Sequence, residues 1–314
     1  MSTLVSGLGE PLSAAQAADK PQPRRATLRR VLRQRSAVVG VAILGFLFAV
    51  ALLADVISPF PPNQVLIGSE AGAPPRTPPC IHMLGCPTDE PEHYFGLDGN
   101  VRDVFSRVVH GGRISLAAGF IIVGWSIVVG LLIGAFAGYT GGWTDNILMR
   151  LMDMLLAFPA LLLTIVIVTV LGQSLANAMI AVGVVSVPIY ARVMRSSVLT
   201  VREQDFVTAA RALGDSQWSI LMRRVVPNSI TPIIVQGTLG IGTAVLEIAA
   251  LSFLGLAPVA PNAEWGNMIG LERSRIFTAP HLIFFPGFAL TLTVLAFNLL
   301  GDGLRDAFDP RLSR

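Results

Sequence analysis

The sequence contains one lysine, Lys20, set in Asp19-Lys20-Pro21. A phosphate-gripping Walker loop ends in Gly-Lys-Ser/Thr, so this chain cannot contain that loop. No His-Glu-x-x-His helix and no Gly-x-Ser-x-Gly elbow occurs. No constellation for covalent or acid–base chemistry stands out, and an enzyme is a weak reading. Charge is also scarce. Charged residues make up 14% of the 314 positions, against about a quarter in soluble domains. A net charge of +3 is too small, and too spread out, for a nucleic-acid partner. Only two cysteines occur, Cys80 and Cys86. They allow a small disulfide loop if their compartment is oxidising. A metal site with His82 and His93 is a weaker reading, because the spacing fits no zinc pattern. Two free thiols are the third.

Apolar runs fill the space that charge leaves. Hydrophobic residues are 53% of the chain. Six stretches approach the ~20 residues a helix needs to cross a bilayer: Ala37–Ile57, Ile114–Gly138, Ile147–Leu171, Leu175–Met194, Ile230–Leu256 and Leu282–Leu300. An all-α membrane protein with six transmembrane helices is expected. Residues 1–23 are small and polar, and the first apolar run follows the Arg24–Arg35 cluster. The start therefore reads as a tail before a retained helix, not as a cleaved signal.

Arginine sets the orientation. With the N-terminus inside, 17 positive residues fall on the cytoplasmic side and six outside, as the positive-inside rule requires. Both termini and Arg195–Arg224 are then cytoplasmic, and Ser58–Gly112 is extracytoplasmic. Proline crowds Pro59–Pro91, which excludes regular helix or central strand there. Val101, Val104, Phe105 and Val108 share one face, which predicts an amphipathic helix over Val101–His110 lying on the outer membrane surface.

The cytoplasmic segment carries the most information. Asp205 suits an N-cap. Phe206, Ala209, Ala210 and Leu213 follow at helical spacing and give one narrow apolar face. Gly214 suits the left-handed residue that ends a helix. Asp215 or Ser216 then caps a second helix toward Arg224, and Pro227 separates it from the next span. A plain connector has no need of small alanines beside a bulky Phe206. Docking into a groove on a partner does.

Within the spans, Glu247 has two readings. One, slightly favoured, is a structural pair with a neighbouring helix that involves Asn298; the other is a solute pathway. Arg150 and Asp153, three apart, read as an ion-paired clasp or part of an inner gate. Asp302, Arg305, Asp306 and Asp309 form either a surface network or a solvated helix end. Trp265 is an interfacial anchor or a contact for an outer partner.

At the cytoplasmic segment the chain resembles the permease subunits of ATP-binding-cassette importers. Their coupling loop runs Glu-Ala-Ala, three residues, Gly, then a hydrophobic-Pro pair. Here it is Thr208-Ala209-Ala210, Gly214 and Val226-Pro227. Thr208 replaces the glutamate that would close a capping box. The likeness to the second-permease type of the dipeptide and oligopeptide group extends over residues 94–311. It includes Phe95-Gly96-Leu97-Asp98, Arg102-Asp103-Val104-Phe105-Ser106-Arg107, Gly111-Gly112-Arg113, Ala157-Phe158-Pro159, Ser252-Phe253-Leu254-Gly255 and Asn298-Leu299-Leu300-Gly301-Asp302, ending in Asp309-Pro310-Arg311. In that family Gly usually precedes the Arg-Asp pair; here Val101 does.

The resemblance implies a type I importer permease fold with a Pro-rich outer loop and a cytoplasmic coupling helix. Its expected organisation is a cytoplasmic tail over 1–36, a first helix over 37–57 and an outer loop over 58–112. A five-helix core over 113–301 follows, containing the coupling loop 203–227, and then a tail over 302–314. It implies a second homologous permease, two ATPase domains that use ATP and Mg, and an extracytoplasmic solute-binding protein. The chain itself would bind no cofactor or metal and sit among membrane lipid in the cell inner membrane. Peptides are the implied cargo; nickel chelates, haem and glycosides use similar permeases. An ion-coupled secondary carrier using Glu247 or Asp153 is the alternative from another class.

Overall fold

The computed structural model describes residues 34–67, 74–257 and 261–308. Residues 1–33 of the expected tail over 1–36, and Asp309 to Arg314, lie outside the described residues. Ten helical elements matter for function. They are α1 Arg35–Leu52, α2 Val104–Thr140, α3 Gly142–Leu156, α4 Ala160–Leu171, α5 Leu175–Val201 and α6 Asp205–Ala212. Next come α7 over 217–229, α8 Thr231–Phe253, α9 Trp265–Glu272 and α10 His281–Phe308. No named strand occurs among the described residues; two isolated bridges join Cys80 to His93 and Leu97 to Asp103.

Helices α1, α2, α5, α8 and α10 are each long and apolar enough to cross a membrane. The third expected span is different. It is broken into α3 and α4, which meet at 91°. Pro159 is the cause: it lacks an N–H, and it steers Phe158 before it away from helical backbone.

Small residues set the packing. Gly130, Gly134 and Gly138 lie on one stripe of α2, and a Cβ on Gly134 would stand 2.2 Å from the Ala191 carbonyl of α5. That close approach, typical of membrane helices, joins α2 and α5 along their length. On the other side α1 lies against α10, with Gly303 pressed on Ala37. Helix α8 lies between the two halves, its Val245 and Ala249 in one core with Leu44, Leu290 and Phe297, and its Ala244 and Ile248 in another with Ile122 and Val182.

The amphipathic helix expected over Val101–His110 does not lie on the membrane surface. From Val104 it is the start of α2, a single helix of 37 residues. Both of its sides are covered: Ser106 and Arg107 are as buried as Val104 and Val108. Proline-rich loop residues and the segment before α9 pack around it.

Candidate coupling surface and membrane-embedded charges

The hook between α5 and α8 is rooted on three spans. Arg202, at the end of α5, donates to the Gly138 carbonyl of α2 at 2.7 Å. Tyr139 donates to Gln217 at 2.6 Å, which ties the end of α2 to α7. Val207, Ala210, Ile220, Leu221 and Val225 are buried in one cluster with Met194 and Val198 of α5. This seam packs the hook directly against the spans.

Several sequence expectations need correction here. Gln204, not Asp205, is the N-cap residue of α6. Asp205 is the first helical residue, where a carboxylate complements the helix dipole. The third helical position is therefore Val207, and Thr208 closes no capping box. The expected apolar face also splits. Ala210 turns inward with Val207, whereas Phe206, Thr208, Ala209, Leu213 and Gly214 are exposed. Leu213 is 85% and Trp218 64% exposed, which leaves a bulky apolar surface open on the hook. Gly214 has φ +85° and completes a Schellman end: its N–H donates to Arg211, and the Asp215 N–H donates to Ala210 at 3.1 Å. Ser216, rather than Asp215, caps α7 by accepting from the Ser219 N–H. The Asp215 carboxylate instead accepts from Arg224 at 3.2 Å. Pro227 does not separate α7 from α8. It sits in the first turn of Val226–Ser229, where its missing N–H is no loss. A π turn over Leu221–Val225 precedes it, and Ile230 keeps helical backbone.

The embedded charges pair differently from the sequence reading. Asp153 accepts from Arg192 of α5 at 2.6 Å, not from Arg150, because Arg150 stands exposed beside Trp143, Asn146 and Ile147. A second link between α3 and α5 was not foreseen: Arg195 holds Asp145 through two bonds of 2.5 and 2.6 Å. Its only sequence signal was an acid one turn into α3. Glu247 is half-buried and Asn298 exposed; no hydrogen bond joins them among the described residues. They lie on different helices and do not form the expected pair. Asp302, Arg305 and Asp306 lie on the open end of α10.

The loop side, opposite the hook, is held by buried charge. Asp98 accepts from Arg102 at 2.8 Å and faces Arg107 at 3.6 Å. Arg107 is 1% exposed and donates to the carbonyls of Pro62 and Pro261. It thereby joins the proline-rich loop to the loop before α9. Arg76 reaches Glu272 at 2.9 Å, and the buried His93 meets Asp103, the N-cap of α2, at 3.3 Å. Val101 adopts φ +55°, the left-handed backbone that glycine would suit. Glu264 caps α9 by accepting from Gly266 and Asn267. Trp265 is buried against Gly111 and Gly112 and donates to Val108 at 2.8 Å, so it reaches neither lipid nor an outer partner. Cys80 and Cys86 are joined as a disulfide with a Cα separation of 5.4 Å. His82 meanwhile contacts the Glu90 carbonyl and His93 turns to Asp103. Outside the spans, Arg113 and then His110 hold the exposed Asp55 carboxyl below its ordinary pKa of 3.8.

Residues 130–314 match the family described as binding-protein-dependent transport system inner membrane component. The chain belongs to this family. Residues 22–79 match the N-terminal transmembrane domain of oligopeptide transport permease C. Among relatives of this importer permease, the dipeptide transport system permease protein DppC of Alkalihalophilus pseudofirmus is 43% identical over 290 residues, covering 92% of this chain and 90% of that one. The glutathione transport system permease protein GsiD of Pectobacterium atrosepticum is 40% identical over 290 residues, covering 92% of each. The methionine ABC transporter MetNI, solved facing inward, has a chain that superposes with TM-score 0.53 at 18% identity, covering 65% of this permease and 98% of that chain. That likeness shows the importer permease fold. With the family in hand, an ion-coupled carrier built on Glu247 or Asp153 is set aside.

Proposed function

We propose that this permease is the non-catalytic translocation subunit of an importer for short peptides. It works with a second homologous permease, two ATPase domains that bind ATP and Mg, and an extracytoplasmic solute-binding protein. It lies in the cell inner membrane with both termini and the hook in the cytoplasm, and it binds no cofactor or metal of its own. Peptide cargo is supported by relatives named for dipeptide and glutathione transport.

The observation that carries this reading is the open surface of Phe206, Ala209, Leu213 and Trp218 on a hook whose other side is sealed to α2, α5 and α8. An apolar surface at the end of a rigid lever is suited to bind a groove and pass on force. Closing of the ATPases would pull the hook, and the spans rooted on it would alternate between outward and inward access. Asp153–Arg192 and Asp145–Arg195 would hold α3 to α5 during that motion. Glu247 and Arg150 are the remaining candidates to face the solute.

The test is Ala209→Arg in the complete complex. Ala209 is exposed, so the chain's own fold accepts the longer side chain, whereas a partner groove does not. Peptide-stimulated ATP hydrolysis should fall by about tenfold or more, as for a central interface position. Unchanged stimulation would remove the docking role. Binding assays on the solute-binding protein, with peptides set against nickel chelates, haem and glycosides, test the cargo.

A further inference from the structure

The break between α3 and α4 presents backbone at a depth where lipid does not tolerate it. Helix α3 leaves the Gly141–Gly142 turn, beside the Gly138 carbonyl that Arg202 holds at the root of the hook. Its 15 residues are about 22 Å long at the usual rise, which carries the chain away from the hook end and into a hydrocarbon layer about 30 Å thick. There the chain turns by 91° into α4. Met149, Met152 and Leu155 pack beside Trp125 and Val129, in the middle of α2, which agrees with that depth.

Pro159 is the N-cap of α4 and offers no side-chain bond. The N–H groups of Ala160, Leu161 and Leu162 find no acceptor within the chain among the described residues; the first closed bond is from Leu163 to the Pro159 carbonyl. Residues 157–162 are exposed throughout, Phe158 at 61%. Backbone left open at membrane depth is tolerated only when buried in protein or lining a water-filled cavity. A second observation, independent of the backbone, points the same way. One turn below the elbow, Asp153 and Arg192 pair with their side chains 53% and 52% exposed, and charges at that depth favour water over hydrocarbon.

We infer that the elbow at 157–160 lines the aqueous solute path, with Phe158 projecting into it and Asp153–Arg192 on the wall beneath. The inference rests on the transport role proposed above and adds the place in this chain where the solute passes. It gives the break a function: a continuous helix would offer lipid a closed backbone and solute no water.

The test uses Phe158→Cys, Ala160→Cys and Phe46→Cys in the complete complex, in proteoliposomes loaded with nucleotide and supplied outside with the solute-binding protein. Phe46, on the unbroken α1, is exposed to the same 61% as Phe158. Cys80 and Cys86 are bonded to each other and do not compete for reagent. A charged, membrane-impermeant methanethiosulfonate should modify position 158 or 160 about tenfold or more faster than position 46, because it needs water. The ratio should change when a non-hydrolysable ATP analogue is added. Modification as slow as at position 46 in every nucleotide state, or only by a lipophilic maleimide, would overturn the inference. So would protection by a cross-link from 158 to the second permease in every state. Each variant is scored in vesicles that retain ATP-dependent uptake, and Ala160→Cys is small enough to keep the elbow if Phe158→Cys does not. Slow labelling in actively importing vesicles contradicts the elbow alone. Absence of ATP-dependent uptake by the unaltered complex contradicts the transport role instead.

Discussion

The loop clasp and the hook of this permease solve opposite problems with opposite chemistry. Around Arg107 the loops bury a charged cluster: Arg107, Asp98, Arg102 and Asp103 are all under 10% exposed, and each is bonded inside the chain. The hook leaves Leu213 and Trp218 in the open, while its charges stay at the surface. Buried, satisfied charges fix one geometry, because every alternative leaves one of them unpaired. Exposed apolar surface fixes nothing until a partner covers it. The clasp around Arg107 is therefore satisfied within the chain, whereas the hook leaves apolar surface uncovered.

The comparison breaks most sharply at Arg107. Arg107→Ala removes a buried cation that faces Asp98 and joins two loops, which should cost about 3–5 kcal/mol. Thermal unfolding of the purified complex should show a large fall in midpoint, with ATP coupling preserved in whatever folds. Next comes a contrast within the hook. Ala210→Arg forces a charge into the seam under Val207 and should destabilise the chain by several kcal/mol. Ala209→Arg, one residue away, should leave the unfolding midpoint nearly unchanged and still lose coupling.

A smaller effect sharpens the outer side. Val101 is both buried, at 1% exposure, and left-handed. Val101→Ala loses packing and keeps the strain. Val101→Gly loses packing and relieves about 1 kcal/mol or more of strain. The alanine variant should therefore be the less stable of the two, by about 1 kcal/mol, in the same unfolding measurement. The smallest effect is at Asp55. Its folded carboxyl is lowered, mainly by Arg113, so its stabilisation is present above the ordinary carboxylate value and is lost as pH falls through the lowered one. Asp55→Asn should flatten only that acidic limb of stability against pH, with no change near neutrality.

The apolar runs made five of the spans legible, because length and hydropathy alone decide whether a helix suits a bilayer. The break at Pro159 was not read, since the run Ile147–Leu171 is apolar on both sides of the proline and hydropathy is blind to direction. The hook was legible in its order: small residues, Gly214, then a second helix. Its facing was not. Phe206, Ala209, Ala210 and Leu213 satisfy helical spacing, but Val207 on the next row forms the seam with Ala210, and only the packing of α5 and α7 chooses between rows. The outer clasp was the least legible. Arg107 and Asp98 are nine residues apart, and the other partners of Arg107, the carbonyls of Pro62 and Pro261, come from distant loops. Spacing carries no trace of that meeting.

The direct measurement is contact at Leu213. A photo-crosslinking residue placed there, in the assembled importer in native membranes, should attach to an ATPase subunit, with a yield that shifts between nucleotide-free and ATP-bound states. If it instead attached only to lipid or to the solute-binding protein, or reacted with an impermeant reagent added outside intact cells, the coupling hook would not face the ATPases, and the account of force transmission would fail.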